Sequence, residues 1–285
     1  MIDLLVKSAP GFIGCTSGFE DCKTVIFGVP YDGTATYRPG SRFAPAAIRA
    51  ESDGIETYSP YQDKDMEDIA VHDAGNLALP FGNREGALEA IGTVARGIIE
   101  AGKRFLMLGG EHLITLSATH ELLKAYPDLC IIQFDAHADL RDEYIGETLS
   151  HATVMRRIWD AAGDGRIWQF GIRSGTREEY EFAKDHTRME AFGVEKMGEA
   201  IKEIGRRAVY ITIDIDVLDP SLLSGTGTPE AGGIAFNVLI NALLELKGLN
   251  ITGADIVELS PCYDPTGVST LTACKLVREV LLLMG

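Results

Sequence analysis

Short apolar runs alternate along the chain with longer stretches whose apolar residues recur every three or four positions. The runs TVIFGV, IAVHD, RFLMLG, LCIIQF, RIWQFG, VYITID and ITGADIVEL are predicted strands. Between them EGALEAIGTVARGIIEAG, LITLSATHELLKAY, SHATVMRRIWDAA and FNVLINALLELK have helical spacing, and STLTACKLVREVLLLM is predicted as a final helix. This order builds a parallel sheet with helices on both faces. The Gly- and Pro-punctuated stretch YDGTATYRPGSRFAPAAIRA, residues 31–50, reads as a long loop before a helix start. Neither an internal repeat nor a Ser/Gly-rich linker interrupts the pattern, so residues 1–285 are expected to form one α/β domain.

Composition narrows the class. With 46% hydrophobic and 24% charged residues the chain can bury a sizeable core. Five cysteines without a C-x-x-C pair support neither a disulfide framework nor a zinc ribbon, and Cys130 is expected in the core. A net charge of -16 argues against a nucleic-acid surface; it serves solubility or draws a cationic substrate to an acidic cleft. No apolar run is long enough to span a membrane, and MIDLLVKSAP lacks the apolar core of a secretory signal, so a cytoplasmic protein is expected.

The chemistry-bearing residues fall at strand ends. RFLMLG runs into Glu111 and His112, LCIIQF into Asp135, His137 and Asp139, VYITI into Asp214, Asp216 and Asp219, and TGADIV into Glu258. Open parallel sheets bind ligands at the carboxyl ends of their strands. Residues at i, i+2 and i+4 of an extended segment point to one side, so Asp135, His137 and Asp139 can approach a common point, and Asp214 and Asp216 repeat that geometry. So many converging carboxylates would repel one another severely without a cation. Four aspartates and two histidines exceed the needs of one four-coordinate ion and suit two ions sharing carboxylates. Ligation rich in carboxylate and without thiolate favours a hard ion such as Mn²⁺ over zinc.

The blocks GGEH, FDAHADLRDEY, LSHATVMRR, ITIDIDVLDP, SGTGTPEAGG and ADIVELSP, with GVPYDGTATYRPGSRFAPAAIR near the start, resemble the ureohydrolase family of arginases and agmatinases in order over nearly the whole chain. The resemblance implies a three-layer α/β/α sandwich on a parallel sheet of about eight strands. It implies two Mn²⁺ per subunit, one on His112, Asp135, Asp139 and Asp214, the other on Asp135, His137, Asp214 and Asp216, with Asp135 and Asp214 bridging. Glu258 would pair with a guanidinium group, Asp139 would protonate the departing amine, and His151 would shuttle protons. The implied reaction is hydrolysis of a guanidinium group to urea and an amine. The implied assembly is a homotrimer or a pair of trimers (a homohexamer).

Arginases carry asparagine two residues after the third ligand of D-x-H-x-D; here Arg141 stands there, and RDEY followed by SHATVMRR looks closer to agmatinases. The expected substrate is therefore agmatine, giving putrescine and urea in polyamine biosynthesis. Arg141 facing the pocket would instead suit an acidic tail such as that of guanidinobutyrate, and Ala152 replaces the glycine that often follows the catalytic histidine. A metallophosphoesterase would carry a G-N-H-[DE] motif, absent here. A zinc deacetylase-like enzyme would keep one metal, and a silent homologue would have eroded ligands, whereas all six are present. His72, His120 and His186 read as structural or solvated, Glu111 as a partner behind His112 or a turn carboxylate, Asp219 as a turn residue, and Gly225, Gly227, Gly232 and Gly233 as a flexible substrate-side loop.

Overall fold

The computed structural model describes residues 6–7 and 11–285. MIDLLVKSAP, read above for a secretory signal, otherwise lies outside them. The strands are β1 (Val6–Lys7), β2 (Thr24–Gly28), β3 (Tyr58–Ser59), β4 (Lys64–Asp65), β5 (Val71–Leu77), β6 (Arg104–Leu108), β7 (Cys130–Phe134), β8 (Ile167–Ile172), β9 (Arg188–Ala191), β10 (Ala208–Asp214) and β11 (Asn250–Val257). The helices are α1 (Ala44–Glu51), α2 (Arg84–Glu100), α3 (Thr115–Ala125), α4 (Val154–Ala162), α5 (Arg177–His186), α6 (Met197–Ile204), α7 (Phe236–Glu245) and α8 (Val268–Met284).

Nine strands form one sheet in the order β1-β5-β2-β6-β11-β10-β7-β8-β9, and β3 and β4 make a separate hairpin. Eight of the nine run parallel; only β1 pairs antiparallel, on β5. Period-two alternation divides each central strand between two cores. Ile132, Phe134, Ile211 and Ile213 join α1, α6, α7 and α8 in one apolar layer, while Ile131, Tyr210, Phe105 and Met107 join α2, α3, α4 and α5 in the other. A strand covered on both sides has no polar face, which is why these segments read as continuous apolar runs.

All seven expected strands and all five expected helices are present. The expectation that residues 31–50 form a loop is corrected: α1 begins at Ala44, with Pro45 in its first turn, where a missing N–H leaves no bond unmade. Arg49 on α1 is buried against β5. Its Nε lies 2.8 Å from Asp73 Oδ2 and its Nη2 2.8 Å from Oδ1, while Nη1 and Nη2 reach the carbonyls of Pro45 and Gly75. The side chains are 0% and 4% exposed, so neither charge is compensated by water. Replacing Arg49 with leucine leaves Asp73 buried and unpaired, and is expected to lower stability by about 3–5 kcal/mol. A urea-unfolding midpoint unchanged from wild type contradicts this.

Candidate metal centre

β6, β11, β10 and β7 are neighbours in the sheet and parallel, so their carboxyl ends deliver side chains to one place. After β6 the chain turns through Gly109 and Gly110. A Cβ at Gly110 would collide with the carbonyl of Tyr31, so only glycine lets the turn pass beneath that loop. Glu111 N–H then donates to Tyr31 O at 2.8 Å, and His112 opens a 3-10 turn. Asp214 ends β10 and accepts from Asp216 N–H at 2.9 Å, which fixes the DID turn. Asp139 and Glu258 both hold left-handed backbone, with φ of 53° and 66°. Such conformations in non-glycine residues cluster where a side chain must be aimed.

His112 Nδ1 lies 3.0 Å from Asp135 Oδ2, 3.1 Å from Asp139 Oδ2 and 3.5 Å from Asp214 Oδ2. His137 Nδ1 lies 3.1 Å from Asp216 Oδ2 and 3.5 Å from Asp135 Oδ1. Asp135 reaches both groups, one oxygen to each. His112, Asp135 and Asp139 form one group of donors that could hold a metal ion, and Asp135, His137 and Asp216 a second. These groups hold five of the six candidate ligands; Asp214 belongs to neither and stands beside the first, 3.5 Å from His112 Nδ1.

The electrostatics show what these residues need. Burial opposes a charge on His112 and on His137, yet the surrounding aspartates outweigh it and hold both imidazoles well above the usual histidine range. Asp135 is buried too, but the two imidazoles keep it ionised and below the usual carboxylate range. Burial, reinforced by Asp135, pushes Asp139 up to about 7, and burial with Asp216 and Asp135 raises Asp214 well above the usual carboxylate range. His112 Nδ1 is buried and makes no hydrogen bond, although three carboxylate oxygens stand near it. Donor atoms about 3 Å apart match the edge of an octahedron with bonds of about 2.1 Å. The donor set, oxygen with imidazole and without thiolate, suits a hard or borderline divalent ion.

A cavity of about 210 Å³ opens beside the cluster, lined among others by Asp139, Arg141, Tyr144, His151, Glu179 and Glu258. Glu258 is buried; its Oε1 accepts from His112 N–H at 2.8 Å, and burial followed by the nearby Glu111 raises its pKa well above the usual range. His151 N–H donates to Thr34 Oγ1 at 3.1 Å, its Nδ1 lies 3.3 Å from the same oxygen, and Tyr144 meets its ring edge-on. Burial, then the charge on His137, pushes His151 down to about 4. Arg141 lines the cavity, its guanidinium 4.5 Å above the Tyr144 ring and its Nε 3.5 Å from Glu179 Oε2.

Glu111 is no simple turn carboxylate, since it accepts both the N–H and the hydroxyl of Thr34, the residue that holds His151. Asp219 is a turn residue as expected, taking the N–H groups of Ser221, Gly232 and Gly233. The segment expected to be a flexible loop is tied down there and again at Gly225, whose N–H donates to Ser269 Oγ. His72, His120 and His186 lie away from the cluster: His72 bonds Ser17 O, His186 bonds Asp164, and His120 sits on α3. Sequence reasoning missed Thr34, Gln133, Gln169, Thr212 and Asp255, which bond one another or the site residues. The available signal was polarity inside apolar strands: Gln133 within LCIIQF, Gln169 within RIWQFG, Thr212 within VYITID and Asp255 within ITGADIVEL.

The model of the Arginase family matches residues 22–283. An agmatinase from Bacillus anthracis is 46% identical over 275 residues, 95% of each chain. Among solved structures, a Clostridium difficile chain superposes with a TM-score of 0.92 at 46% identity, covering 94% of this chain and 98% of that one. The agmatine ureohydrolase of Thermoplasma volcanium gives a TM-score of 0.88 at 33% identity, covering 98% and 95%.

A divalent ion held by the folded cluster and not by the unfolded chain would stabilise the fold, so saturating Mn²⁺ at about 100 times its dissociation constant should stabilise chelator-stripped protein by about 2.7 kcal/mol. Asp135→Asn, which removes charge from the residue common to both donor groups, should abolish that rise in Tm. A variant that still responds fully to Mn²⁺ removes Asp135 from the ligand set.

Proposed function

The chain belongs to the arginase family of ureohydrolases, and on that premise we propose that it hydrolyses agmatine to putrescine and urea at a site holding two Mn²⁺. The observation that carries this reading is Glu258, a buried carboxylate in the wall of a small cavity beside the candidate metal ligands, with one oxygen engaged by a backbone N–H. A buried carboxylate needs a partner of opposite charge, and a guanidinium offers a planar cation with paired N–H donors.

His112, Asp135, Asp139 and Asp214 would hold one ion and Asp135, His137, Asp214 and Asp216 the other, with Asp135 and Asp214 shared. Bound there, divalent ions supply Lewis-acid activation of water and neutralise the carboxylates. Glu258 anchors the guanidinium and sets which face of its carbon meets the cluster. Water adds its oxygen to that carbon, the bond to the alkyl-bearing nitrogen breaks, and a proton from water passes through Asp139 to the departing amine. His151, neutral at pH 7 because of its burial, can accept protons at the cavity wall and pass them to solvent.

Agmatine is preferred over other guanidino compounds because relatives at 46% identity are agmatinases and the strongly acidic chain attracts a dication. One observation favours a second reading: Arg141 lines the cavity and could meet the carboxylate of guanidinobutyrate. We place the enzyme in the cytoplasm, in polyamine biosynthesis, as a homotrimer or homohexamer. No helix among the described residues is long and apolar enough to cross a membrane, and Phe81 and Phe192 are exposed.

Urea release from agmatine, arginine, guanidinobutyrate and guanidinopropionate by Mn²⁺-loaded protein tests the reading. Agmatine should be preferred and chelation should abolish turnover; preference for a carboxylate-bearing compound transfers specificity to Arg141, and silence on all four rejects the proposal. His151→Asn should lower kcat roughly 10²-fold with Mn²⁺ content unchanged. Glu258→Gln should lower kcat/KM by roughly ten- to hundredfold, and a variant of either kind with wild-type kinetics removes that residue from its role.

A further inference from the structure

Beneath the candidate ligands lies a carboxylate that the reaction above does not use. Asp255, in the middle of β11, is wholly buried. Three hydroxyls converge on it: Thr212 at 2.6 Å on Oδ1, and Tyr210 at 2.6 Å and Thr115 at 2.7 Å on Oδ2. Among the described residues no lysine or arginine forms an ion pair with it. A buried carboxylate with three hydroxyl donors and no cation in contact is an anion whose balancing charge lies further off.

Thr212 shows where. Its hydroxyl also sits 2.8 Å from His112 Nε2. A hydroxyl has one hydrogen, and the 2.6 Å contact to Asp255 Oδ1 takes it, so toward His112 the oxygen can only accept. Nε2 must therefore carry the hydrogen. In the neutral imidazole this leaves Nδ1 as the bare nitrogen, the atom that stands without a hydrogen bond among the oxygens of Asp135, Asp139 and Asp214. The same relay turns the ring and adds electron density to it, as a carboxylate behind a metal-bound histidine does.

We propose that Asp255, acting through the hydroxyl of Thr212, is the positioning residue that presents His112 Nδ1 to a divalent cation and supplies the distant negative charge that balances it. This rests on the metal reading of the site, but not on the identity of the substrate.

The test is Mn²⁺ affinity, measured by competition with a fluorescent chelator on the full chain. Thr212→Val keeps the shape and removes the relay; it should weaken Mn²⁺ binding roughly ten- to hundredfold. Thr212→Ser keeps the hydroxyl and should restore affinity to within about threefold of wild type, a fraction of that loss. Asp255→Asn should weaken binding in the same direction, and if it does not fold the threonine pair carries the test alone. The Co²⁺-loaded protein gives a second readout: its visible absorption should shift in Thr212→Val and return in Thr212→Ser, whereas loss of packing alone leaves the band in place. Wild-type affinity in Thr212→Val, or equal weakness in both threonine variants, overturns the proposal. Failure of the metal reading looks different: the wild-type protein itself then binds no Mn²⁺, and the proposal falls with it.

Discussion

Everything in this structure is arranged around one electrostatic constraint: Asp135, Asp139, Asp214, Asp216 and Glu258 are buried at the carboxyl ends of three adjacent strands, β11, β10 and β7, with Glu111 and Asp255 buried nearby. Water cannot screen these charges, and like charges in a low-dielectric interior raise one another's pKa. Among the residues of the cluster, His112 and His137 are the groups that can become cationic, and both are held far toward protonation by the aspartates. A divalent ion does the same with more charge and with directional bonds. Donors offset part of this concentration of carboxylates: Gln133 for Asp135, the N–H of Asp216 for Asp214, and, from another element, the N–H of His112 for Glu258.

The anchoring extends outward in layers. Asp135 Oδ2 accepts from Gln133, whose Oε1 accepts from Gln169 on β8, whose own Oε1 accepts from the Thr187 hydroxyl beside β9. His151 is held by Thr34, and Thr34 by Glu111. The first relay runs between β7, β8 and the start of β9, strands fixed by apolar packing, so its polar groups inherit their precision from the two cores; the second joins the loops that follow β2 and β6 to the turn at His151.

Most of the sheet could be read from the sequence because strands buried on both faces leave continuous apolar runs, and the candidate ligands could be named because they follow those runs directly. The missed elements lacked that signature. β9, RMEA, lies at the sheet edge with one residue of four buried, and α5, REEYEFAKDH, buries only Glu179 and Ala183. The residues behind the ligands were hidden for the opposite reason. Thr212 and Asp255 sit inside runs whose apolar neighbours dominate the pattern, and their partners lie on other strands. Sequence spacing shows which residues share a face of one strand, but not which cross-strand pairs come within 2.6 Å.

The scatter of the ligands along the chain has a consequence for how the protein matures. Asp135, His137 and Asp139 lie within one short loop, but His112 comes from the end of β6 and Asp214 and Asp216 from the end of β10, and between β6 and β10 stands β11, which follows both in sequence. β6 and β10 therefore hold their spacing only once β11 has been synthesised and inserted between them. An emerging chain can offer a cation no more than a weak local grip, and the full affinity accrues to the closed sheet. On the proposed metal reading, cation uptake would report that β11 has taken its place.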